Sequence, residues 1–325
     1  MMQQENERPI VGILAQEVSD IISKKYPYSK SYIAASYVKA VEGSGARVIP
    51  IFINKNEAYY RDIIRSINGL VLPGGNVWFY EFDDKTPKEN GYLRASEILY
   101  EEIKKRNKEN KENFPILGIC LGLEVMLFIE ADKKECRDTC RPNHSIMSLD
   151  LCLGYDESRL FKNMNETEKN IVDILQKPMH YFSHQFYISH EVMKNKFNND
   201  WKIISTTKLE NQNTLIIAIA ESKNFPFIGL QFHPEKIYEW STKQKRNHSQ
   251  EAVTACRYFF DWLIKESKKN KNKFDNSDLE NALLISNYHK TFTSGRLNFD
   301  ELYLFDENNS TQILIKQTSL IHCVI

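Results

Sequence analysis

The sequence predicts an α/β protein with a mostly parallel central sheet flanked by helices, and three observations lead to that prediction. Short apolar runs of strand length alternate with longer segments that carry apolar residues at helical spacing. Several short runs end in glycine or proline, as strands do where the chain turns at a sheet edge. The chain has 325 residues, enough for one large α/β domain or two modest ones. Alternating strands and helices imply right-handed crossovers and therefore parallel strands.

The first half of the chain supplies most of the predicted parallel strands. Ser31 has the residue type of a helix cap, and the helix after it would place Ala34, Tyr37, Val38 and Val41 on one face. Apolar residues at 63, 64 and 67 mark a second helix face, and a charged helix is expected at about 92–105. The predicted strands are 10–14, 46–53, 69–73 and 114–119, and the last is followed by a helix at 123–131.

The second half is richer in strands. We predict strands at 148–154, 201–207, 214–222 and 225–232, and then a helix near 250–265. Residues 268–277 are rich in Lys, Asn and Asp and are expected to form a linker or loop. The apolar runs ALLIS, LYLF and ILI beyond Leu279 would add a helix or strands to the body.

Composition argues against several classes of protein. Lys plus Arg and Asp plus Glu number 43 each, so no global charge favours nucleic acid. No apolar run reaches the length of a membrane span. The first residues lack the apolar core of a signal peptide, so we expect either a cytoplasmic protein or a mature chain whose signal has been removed.

The cysteines do not form the framework of a disulfide scaffold. Six cysteines in 325 residues are few and irregularly spaced. Cys136, Cys140, His144 and Cys152 match no common zinc spacing, and we expect no metal site. Acceptor sites for N-glycosylation are weak hints of secretion in a chain so rich in asparagine; they are Asn143, Asn165, Asn247, Asn308 and Asn309.

Cys120 lies where a predicted strand passes directly into a predicted helix, between Gly118 and Gly122. Such a tight turn forces unusual backbone angles and exposes the residue at its tip, which is how α/β hydrolases present a nucleophile. We therefore expect a reactive thiol of low pKa at this position. The alternative is a buried structural cysteine beside a glycine.

Two further strand ends carry groups that acyl transfer requires. Gly74 and Gly75 follow the strand at 69–73, and His233 follows the strand at 225–232. A thiol needs a base, and Glu235 is close enough in sequence to orient the His233 imidazole as the third member of a triad. Because ligands of parallel sheets bind beyond the carboxyl ends of the strands, we expect these residues to share one cleft.

In these motifs the chain resembles the γ-glutamyl hydrolases, the branch of the class I glutamine amidotransferase-like superfamily that trims folate polyglutamates. CLGLE (120–124) is similar to the family's C-L-G-F-E, and QFHPEK (231–236) is similar to its Q-W-H-P-E-K, with Glu239-Trp240 after it. RPIVGILAQE (8–17), LVLPGGNV (70–77) and the segment 282–305 are similar to the family's opening strand, loop and C-terminal part.

The resemblance implies a flavodoxin-like, three-layer fold in one catalytic domain over 8–325, with 279–325 as a C-terminal extension packed on it. It implies Cys120 as nucleophile, His233 as base and Glu235 as the group that orients it. Backbone N–H groups of Gly75 and Leu121 would hold the oxyanion. Four residues would bind substrate: Glu124, His184, Gly74 and Gly75. His184 aligns with the family's second histidine, although His180 and His190 lie nearby in the sequence.

Glu124 separates the branches of the superfamily, since glutamine amidotransferases generally carry glutamine there. Its carboxylate is expected to hold a substrate ammonium or to take part in proton transfer, although an ordinary helix surface residue is the alternative. The expected substrate is a poly-γ-glutamyl folate, without metal or organic cofactor. The resemblance also implies a lysosomal, vacuolar or secreted enzyme and leaves a homodimer open.

Two other functions remain open at this point. One is an amidotransferase module that releases ammonia from glutamine, against which the glutamate at 124 and the lack of a synthase domain argue. The other is an inactive binding protein of the same fold, against which the joint presence of Cys120, His233 and Glu235 argues.

Overall fold

The structure is a computed structural model that describes residues 5–80, 90–164, 170–209, 214–240, 246–294 and 296–306. Its strands are β1 (Ile10–Leu14), β2 (Gln16–Glu17), β3 (Ser31–Ala34), β4 (Arg47–Ile51), β5 (Gly69–Leu72), β6 (Ile116–Ile119), β7 (Asp138–Met147), β8 (Asp150–Leu151), β9 (His180–Tyr187), β10 (Trp201–Lys208), β11 (Leu215–Ser222), β12 (Phe227–Leu230), β13 (Lys290–Phe292) and β14 (Glu301–Phe305). Its α-helices are α1 (Asp20–Lys25), α2 (Ala35–Gly43), α3 (Glu57–Ser66), α4 (Gly91–Glu109), α5 (Leu121–Glu130), α6 (Ile171–Leu175), α7 (His190–Val192), α8 (Gln250–Ser267) and α9 (Ser277–Leu283).

The central sheet confirms the predicted mostly parallel architecture. In the described residues its strand order is β4-β1-β5-β6-β12-β11-β10-β8, and the first five strands run parallel. Strands β1, β5, β6 and β12 are buried along their whole length, as parallel strands are when helices cover both faces of a sheet. Helices α2 and α8 pack together as one layer, and α3, α4 and α5 pack in sequence as the other. The result is the expected three-layer fold.

The C-terminal segment joins a second sheet. Strand β14 pairs antiparallel with β3, and the order β13-β14-β3-β2 completes this small sheet. The LYLF run (302–305) therefore forms a strand, as the sequence predicts, and part of ALLIS forms the end of α9. The ILI run lies outside the described residues, so its structure stays a prediction.

Two predictions about individual elements are wrong. Ser31 does not cap a helix: it begins β3, where it pairs with Phe305 and Glu17, and α2 starts only at Ala35. Pairing with strands distant in sequence has overridden the local capping signal. The strand predicted at 148–154 shrinks to Asp150–Leu151, because the chain turns away at Gly154, which has a positive φ of 80°. None of the described helices is long and apolar enough to cross a membrane.

Three neighbouring strands of the sheet end at the same edge. Parallel pairing places Leu72 of β5 beside Gly118 of β6, and Leu230 of β12 beside Ile119 of β6. The segments that follow β5, β6 and β12 carry Gly74, Cys120 and His233. The expected shared cleft at the carboxyl ends of these strands is therefore present.

Gly122 lets α5 lie directly against β5. A Cβ atom at this position would stand 2.0 Å from the carbonyl oxygen of Leu72, a backbone atom that cannot move aside. A Cβ at Gly118 would likewise stand 2.7 Å from the carbonyl carbon of Gly122. The two glycines are needed here for close approach of backbones.

We predict that Gly122→Ala lowers the free energy of unfolding by about 2–3 kcal/mol, the usual cost of forcing extra atoms into a packed core. Gly43→Ala is the matched control, because a Cβ there meets only the Tyr238 hydroxyl at 3.6 Å, and it should leave stability unchanged or slightly higher. Urea denaturation measures both variants. Equal midpoints for the two would contradict the proposed contact.

Candidate active site

Cys120 occupies a strained turn between β6 and α5. Its φ of 51° and ψ of −105° lie outside the regions that residues with a side chain usually adopt. Residues held in such conformations concentrate at functional sites, where the surrounding structure enforces them. Here the Cys120 N–H donates to the Leu230 carbonyl of β12, and its carbonyl accepts from Glu124 N–H in α5. The predicted nucleophile turn is thus formed, with both neighbouring elements fixing it.

His233 and Glu235 form a buried pair just beyond β12. Pro234 starts a single 3₁₀ turn over Pro234–Tyr238, which brings Glu235 Oε1 to 2.9 Å from His233 Nδ1. Burial alone would raise the pKa of Glu235, but the charge and hydrogen bond of His233 outweigh it and leave that pKa lowered. A carboxylate on Nδ1 fixes the imidazole ring and leaves Nε2 to face the cleft.

Cys120 and His233 face each other across the carbonyl oxygen of Ser183. This oxygen in β9 lies 3.9 Å from Cys120 Sγ and 3.3 Å from His233 Nε2. The His233 N–H also donates to Tyr181 O at 2.8 Å, so β9 holds the histidine through its backbone. A Cβ atom added to Gly74 would contact both the His233 side chain and the Cys120 side chain. The thiol and the imidazole therefore share one small space.

The PGG loop is held by three buried polar side chains. Tyr37 accepts the Gly74 N–H at 2.8 Å, Gln16 Nε2 donates to Gly74 O at 2.7 Å, and the Tyr92 hydroxyl donates to Pro73 O at 3.0 Å. The Gly74 N–H is therefore already used. The Gly75 N–H, in contrast, makes no hydrogen bond with the described residues and lies in the wall of the cleft.

The thiol differs from the exposed, low-pKa group that the sequence leads us to expect. Cys120 is only 5% exposed. Burial and the charges of Glu124 and Glu235 raise the pKa of its thiol well above the usual value, and hydrogen bonds from Leu121 N–H and Gln231 offset only part of this. A thiol whose pKa is raised needs a base to remove its proton at the moment of reaction.

Glu124 lies in the cleft but already has partners. Arg137 Nη1 stands 3.1 Å from its Oε2, and Gln231 Nε2 donates to its Oε1 at 3.1 Å. All three side chains are buried. The alternative of an ordinary helix surface residue is therefore wrong. The carboxylate forms a buried ion pair, which leaves it less able to attract a substrate ammonium.

The structure separates the three histidines near β9. His184 lines the cleft with its Nδ1 3.7 Å from Cys140 Sγ, and its buried Nε2 has no partner among the described residues. His180 is fully buried behind the site, with Nε2 2.9 Å from Leu175 O and its ring against Phe232. His190 begins α7 and does not line the cleft. Burial lowers the pKa of both His180 and His184 to about 4.

The cleft has a volume of about 330 Å³ and opens between the strand ends, β9 and the C-terminal segment. Lys236 and Phe299 form one wall, where the Lys236 ammonium lies 4.5 Å from the centre of the Phe299 ring. A larger cavity of about 710 Å³ beside α4 and α5 contains none of the candidate catalytic residues. Across the described ranges, no three or more His, Cys, Asp or Glu side chains are grouped to hold a metal ion.

Sequence reasoning missed four contributors to the cleft: Arg137, Ser183, Gln231 and Lys236. Ser183 lies in β9 and Arg137 directly precedes β7, and the position of this β7–β9 ribbon depends on long-range packing. Gln231 and Lys236 stand inside the quoted QFHPEK motif, so their proximity to His233 was a usable signal.

A parallel sheet that presents a cysteine turn and a His–Glu pair at neighbouring strand ends defines a class I glutamine amidotransferase-like hydrolase. A glutaminase domain of Trypanosoma brucei CTPS, solved with bound acivicin, has this fold: it aligns with a TM-score of 0.52 over 81% of this chain and 95% of that domain, at 11% identity.

Residues 9–235 match the family model of Peptidase C26. The chain is 32% identical to γ-glutamyl hydrolase B of Dictyostelium discoideum over 94% of this chain and 85% of that protein. It is 31% identical to the mouse γ-glutamyl hydrolase over 93% of this chain and 90% of that protein. The protein thus belongs to the Peptidase C26 family and, within it, to the γ-glutamyl hydrolases.

The lowered pKa of His180 predicts that stability falls with acidity. A histidine that stays neutral when folded, with a pKa near 4 against about 6.5 unfolded, contributes stability that is complete above pH 6.5 and is lost as the pH falls toward 4. The loss reaches at most about 1.4 kcal/mol per pH unit for each such group. His180→Gln, which keeps a donor for Leu175 O, should flatten this slope in denaturation series between pH 4 and 7. His289→Gln, at an exposed position, should not change it, and equal slopes in all three proteins would contradict the prediction.

Proposed function

We propose that the protein cleaves poly-γ-glutamates, in particular folylpoly-γ-glutamates, through a thioester on Cys120. Family membership makes it a cysteine-type γ-glutamyl hydrolase; the folate substrate and the role of each residue are the proposal. The observation that carries it is the joint position of Cys120 and His233 on the Ser183 carbonyl, with Glu235 on the far side of the imidazole. Acyl transfer by a thiol requires a base within reach of the sulfur and a third group that orients the base. The shared contact with Ser183 O supports the proximity of Cys120 and His233, and the Glu235 contact supports the orientation of the imidazole.

The first half of the reaction forms the thioester. His233 Nε2 takes the proton of the Cys120 thiol while the sulfur attacks the γ-carbonyl carbon of the scissile glutamate. Glu235 stabilises the imidazolium that results, through its 2.9 Å contact with Nδ1. The raised pKa of the thiol fits this order, because the proton leaves only when the base and the electrophile are both in place.

Backbone donors would hold the oxyanion of the tetrahedral intermediate. Leu121 N–H lies at the start of α5 beside the sulfur, and Gly75 N–H is the donor of the PGG loop that other described groups leave unused. One such donor is worth about 3 kcal/mol in the transition state. The C–N bond then breaks as His233 returns its proton to the leaving amine. Water attacks the thioester, gives a proton to His233, and releases the acid and the Cys120 thiol.

The cleft offers a cation to an anionic substrate. Every residue of a poly-γ-glutamate carries an α-carboxylate, and its internal nitrogens are acylated, so it presents anions rather than an ammonium next to the scissile bond. Lys236 lies in the cleft wall, with its ammonium 2.9 Å from Glu239 Oε1. Arg246 also contacts Glu239, at 3.2 Å, so Lys236 shares this carboxylate with a second cation.

Other cleft residues are assigned supporting roles. His184 lines the cleft, and burial lowers its pKa to about 4, so its imidazole is neutral near pH 7 and is assigned to the substrate pocket. Gly74 and Gly75 shape the floor, since any side chain at Gly74 would meet Cys120 and His233. A lysosomal, vacuolar or secreted location and a homodimer stay predictions of the family resemblance.

The test of the function is incubation with pteroyl-tri-γ-glutamate and, separately, with glutamine, followed by mass spectrometry of the products. We expect cleavage of γ-Glu–Glu bonds and negligible ammonia from glutamine. Cys120→Ala should abolish cleavage while the melting temperature and substrate affinity stay close to those of the wild type. Efficient release of ammonia, with the triglutamate left intact, would instead favour a glutaminase.

The proposed role of Lys236 predicts a loss of activity only on substrates whose scissile residue carries a free α-carboxylate. Lys236→Gln should lower kcat/KM about tenfold or more on an N-acyl-γ-glutamyl-glutamate, since a charge-assisted hydrogen bond contributes about 1.5–3 kcal/mol. It should change little on the counterpart whose scissile residue carries an α-carboxamide. Lys104→Gln, which breaks an ion pair with Glu130 outside the cleft, is the control. Equal losses of kcat/KM on both substrates would show that Lys236 does not recognise the α-carboxylate.

A further inference from the structure

The geometry points to Arg137, Glu124 and Gln231 as a positioning relay that aims an amide N–H at the nucleophile. We infer that Arg137 holds Glu124 as a carboxylate, that Glu124 fixes the orientation of the Gln231 amide, and that Gln231 stabilises the sulfur of Cys120 when it becomes a thiolate. The inference rests on the proposed function only in taking Cys120 as the nucleophile.

Arg137 is held rigidly at the base of the relay. Its guanidinium lies between the rings of Phe79 and Phe186, 3.6 and 4.2 Å from their centres. Two parallel hydrogen bonds of 2.9 and 2.8 Å join it to Glu135, and its Nη1 reaches Glu124. Stacking and bidentate pairing fix a guanidinium in a way that a lysine cannot reproduce. The position of its charge beside Glu124 is therefore set by four side chains.

Gln231 bridges Glu124 and the nucleophile with a single nitrogen. Its Nε2 lies 3.1 Å from Glu124 Oε1 and 3.7 Å from Cys120 Sγ, and the side chain is fully buried. An amide nitrogen has two protons, which suffice for both contacts. The amide oxygen of Gln231 has no hydrogen-bond partner among the described residues, so nothing else there decides which end of the amide faces the cysteine.

The charge of Glu124 decides which end of the Gln231 amide faces Cys120. An ionised carboxylate only accepts hydrogen bonds, so it must be met by the nitrogen of the amide. A protonated carboxyl group can donate, and it would allow the amide to turn its oxygen toward Cys120. That oxygen would hold the thiol proton in place rather than stabilise the thiolate. The Arg137 guanidinium can only donate, so its 3.1 Å contact with Glu124 fits a carboxylate that accepts hydrogen bonds and hence the productive orientation of the Gln231 amide.

The relay also offsets part of the electrostatic cost of forming the Cys120 thiolate. Glu124 and Glu235 both place negative charge near Cys120 and disfavour the thiolate. The hydrogen bond from Gln231 acts in the opposite direction, and Arg137 pairs with the carboxylate of Glu124. The titratable groups that act on Glu124 or Cys120 are Tyr37, Tyr92, Cys136, Arg137, Cys140 and Glu235, with His233 beside the sulfur.

The first test removes the donor without changing charge. Gln231→Met should lower kcat about 10- to 100-fold with little change in KM, the loss expected for one hydrogen bond to a charged group. The second readout, which needs no substrate, is the rate at which iodoacetamide alkylates Cys120 as a function of pH. Mass spectrometry of the peptide that contains Cys120 follows this reaction. The alkylation curve should move to higher pH by about one unit or more. Gln176→Met, which changes an exposed amide after α6, should leave both readouts unchanged.

The second test asks whether Arg137 acts through Glu124. We expect Arg137→Met to lower kcat with little change in KM, because it leaves the buried carboxylate of Glu124 without the cation that fixes it. Once Glu124→Gln is present, adding Arg137→Met should have no further effect on kcat. Lys104→Met breaks an ion pair of similar length away from the cleft and serves as the control.

The outcomes separate the possibilities. If the losses of kcat caused by Arg137→Met and by Glu124→Gln multiply in the double variant, and Arg137→Met mainly raises KM, then Arg137 binds substrate directly and the relay is wrong. If Gln231→Met leaves the alkylation curve in place, the amide does not act on the thiol and the relay is also wrong. If the curve moves but no poly-γ-glutamate is cleaved by the wild type, the relay stands and the proposed substrate fails. Gln231→Met keeps the test decisive even if Arg137→Met does not fold.

Discussion

The close contact between α5 and β5 is the constraint on which the site depends. Because Gly122 has no side chain, the first turn of the helix lies against the Leu72 carbonyl, and the turn that precedes it is forced into the strained conformation of Cys120. The same contact fixes the distance from Cys120 to the PGG loop, which continues from β5. Nucleophile and loop backbone are thus parts of one packing arrangement, and neither can move without the other.

Two clusters of paired charges contribute side chains to the cleft. Arg137 pairs with Glu124 and Glu135 in one cluster, and Glu239 pairs with Lys236 and Arg246 in the other. Burial makes both clusters costly unless they are well paired, which is why each cation meets a carboxylate at close range. Lys236 and Glu124 are in this way held in place among the cleft-lining residues.

The sequence predicted those parts of the site that a short motif encodes. Cys120, His233 and Glu235 were identifiable because strand ends, glycines and proline mark their turns locally. Ser31 was misassigned because its fate depends on Phe305, far along the chain. Arg137 was missed because it meets Glu124 only in the assembled fold. Gln231 lies in the QFHPEK motif, but its contact with Glu124 spans 107 residues and was missed for that reason. The raised pKa of Cys120 was missed for the same reason, since burial is a property of the assembled fold.

The pairing of β14 with β3 has a consequence for how the enzyme is made. Asn298 and Phe299, which precede β14, form part of the cleft wall, and the Lys236 ammonium lies over the Phe299 ring. The residues of the Cys–His–Glu constellation leave the ribosome before this segment does. A nascent chain therefore acquires its chemical groups first and the wall that closes around substrate later. The cleft wall to which Asn298 and Phe299 contribute is therefore incomplete until synthesis has passed these residues.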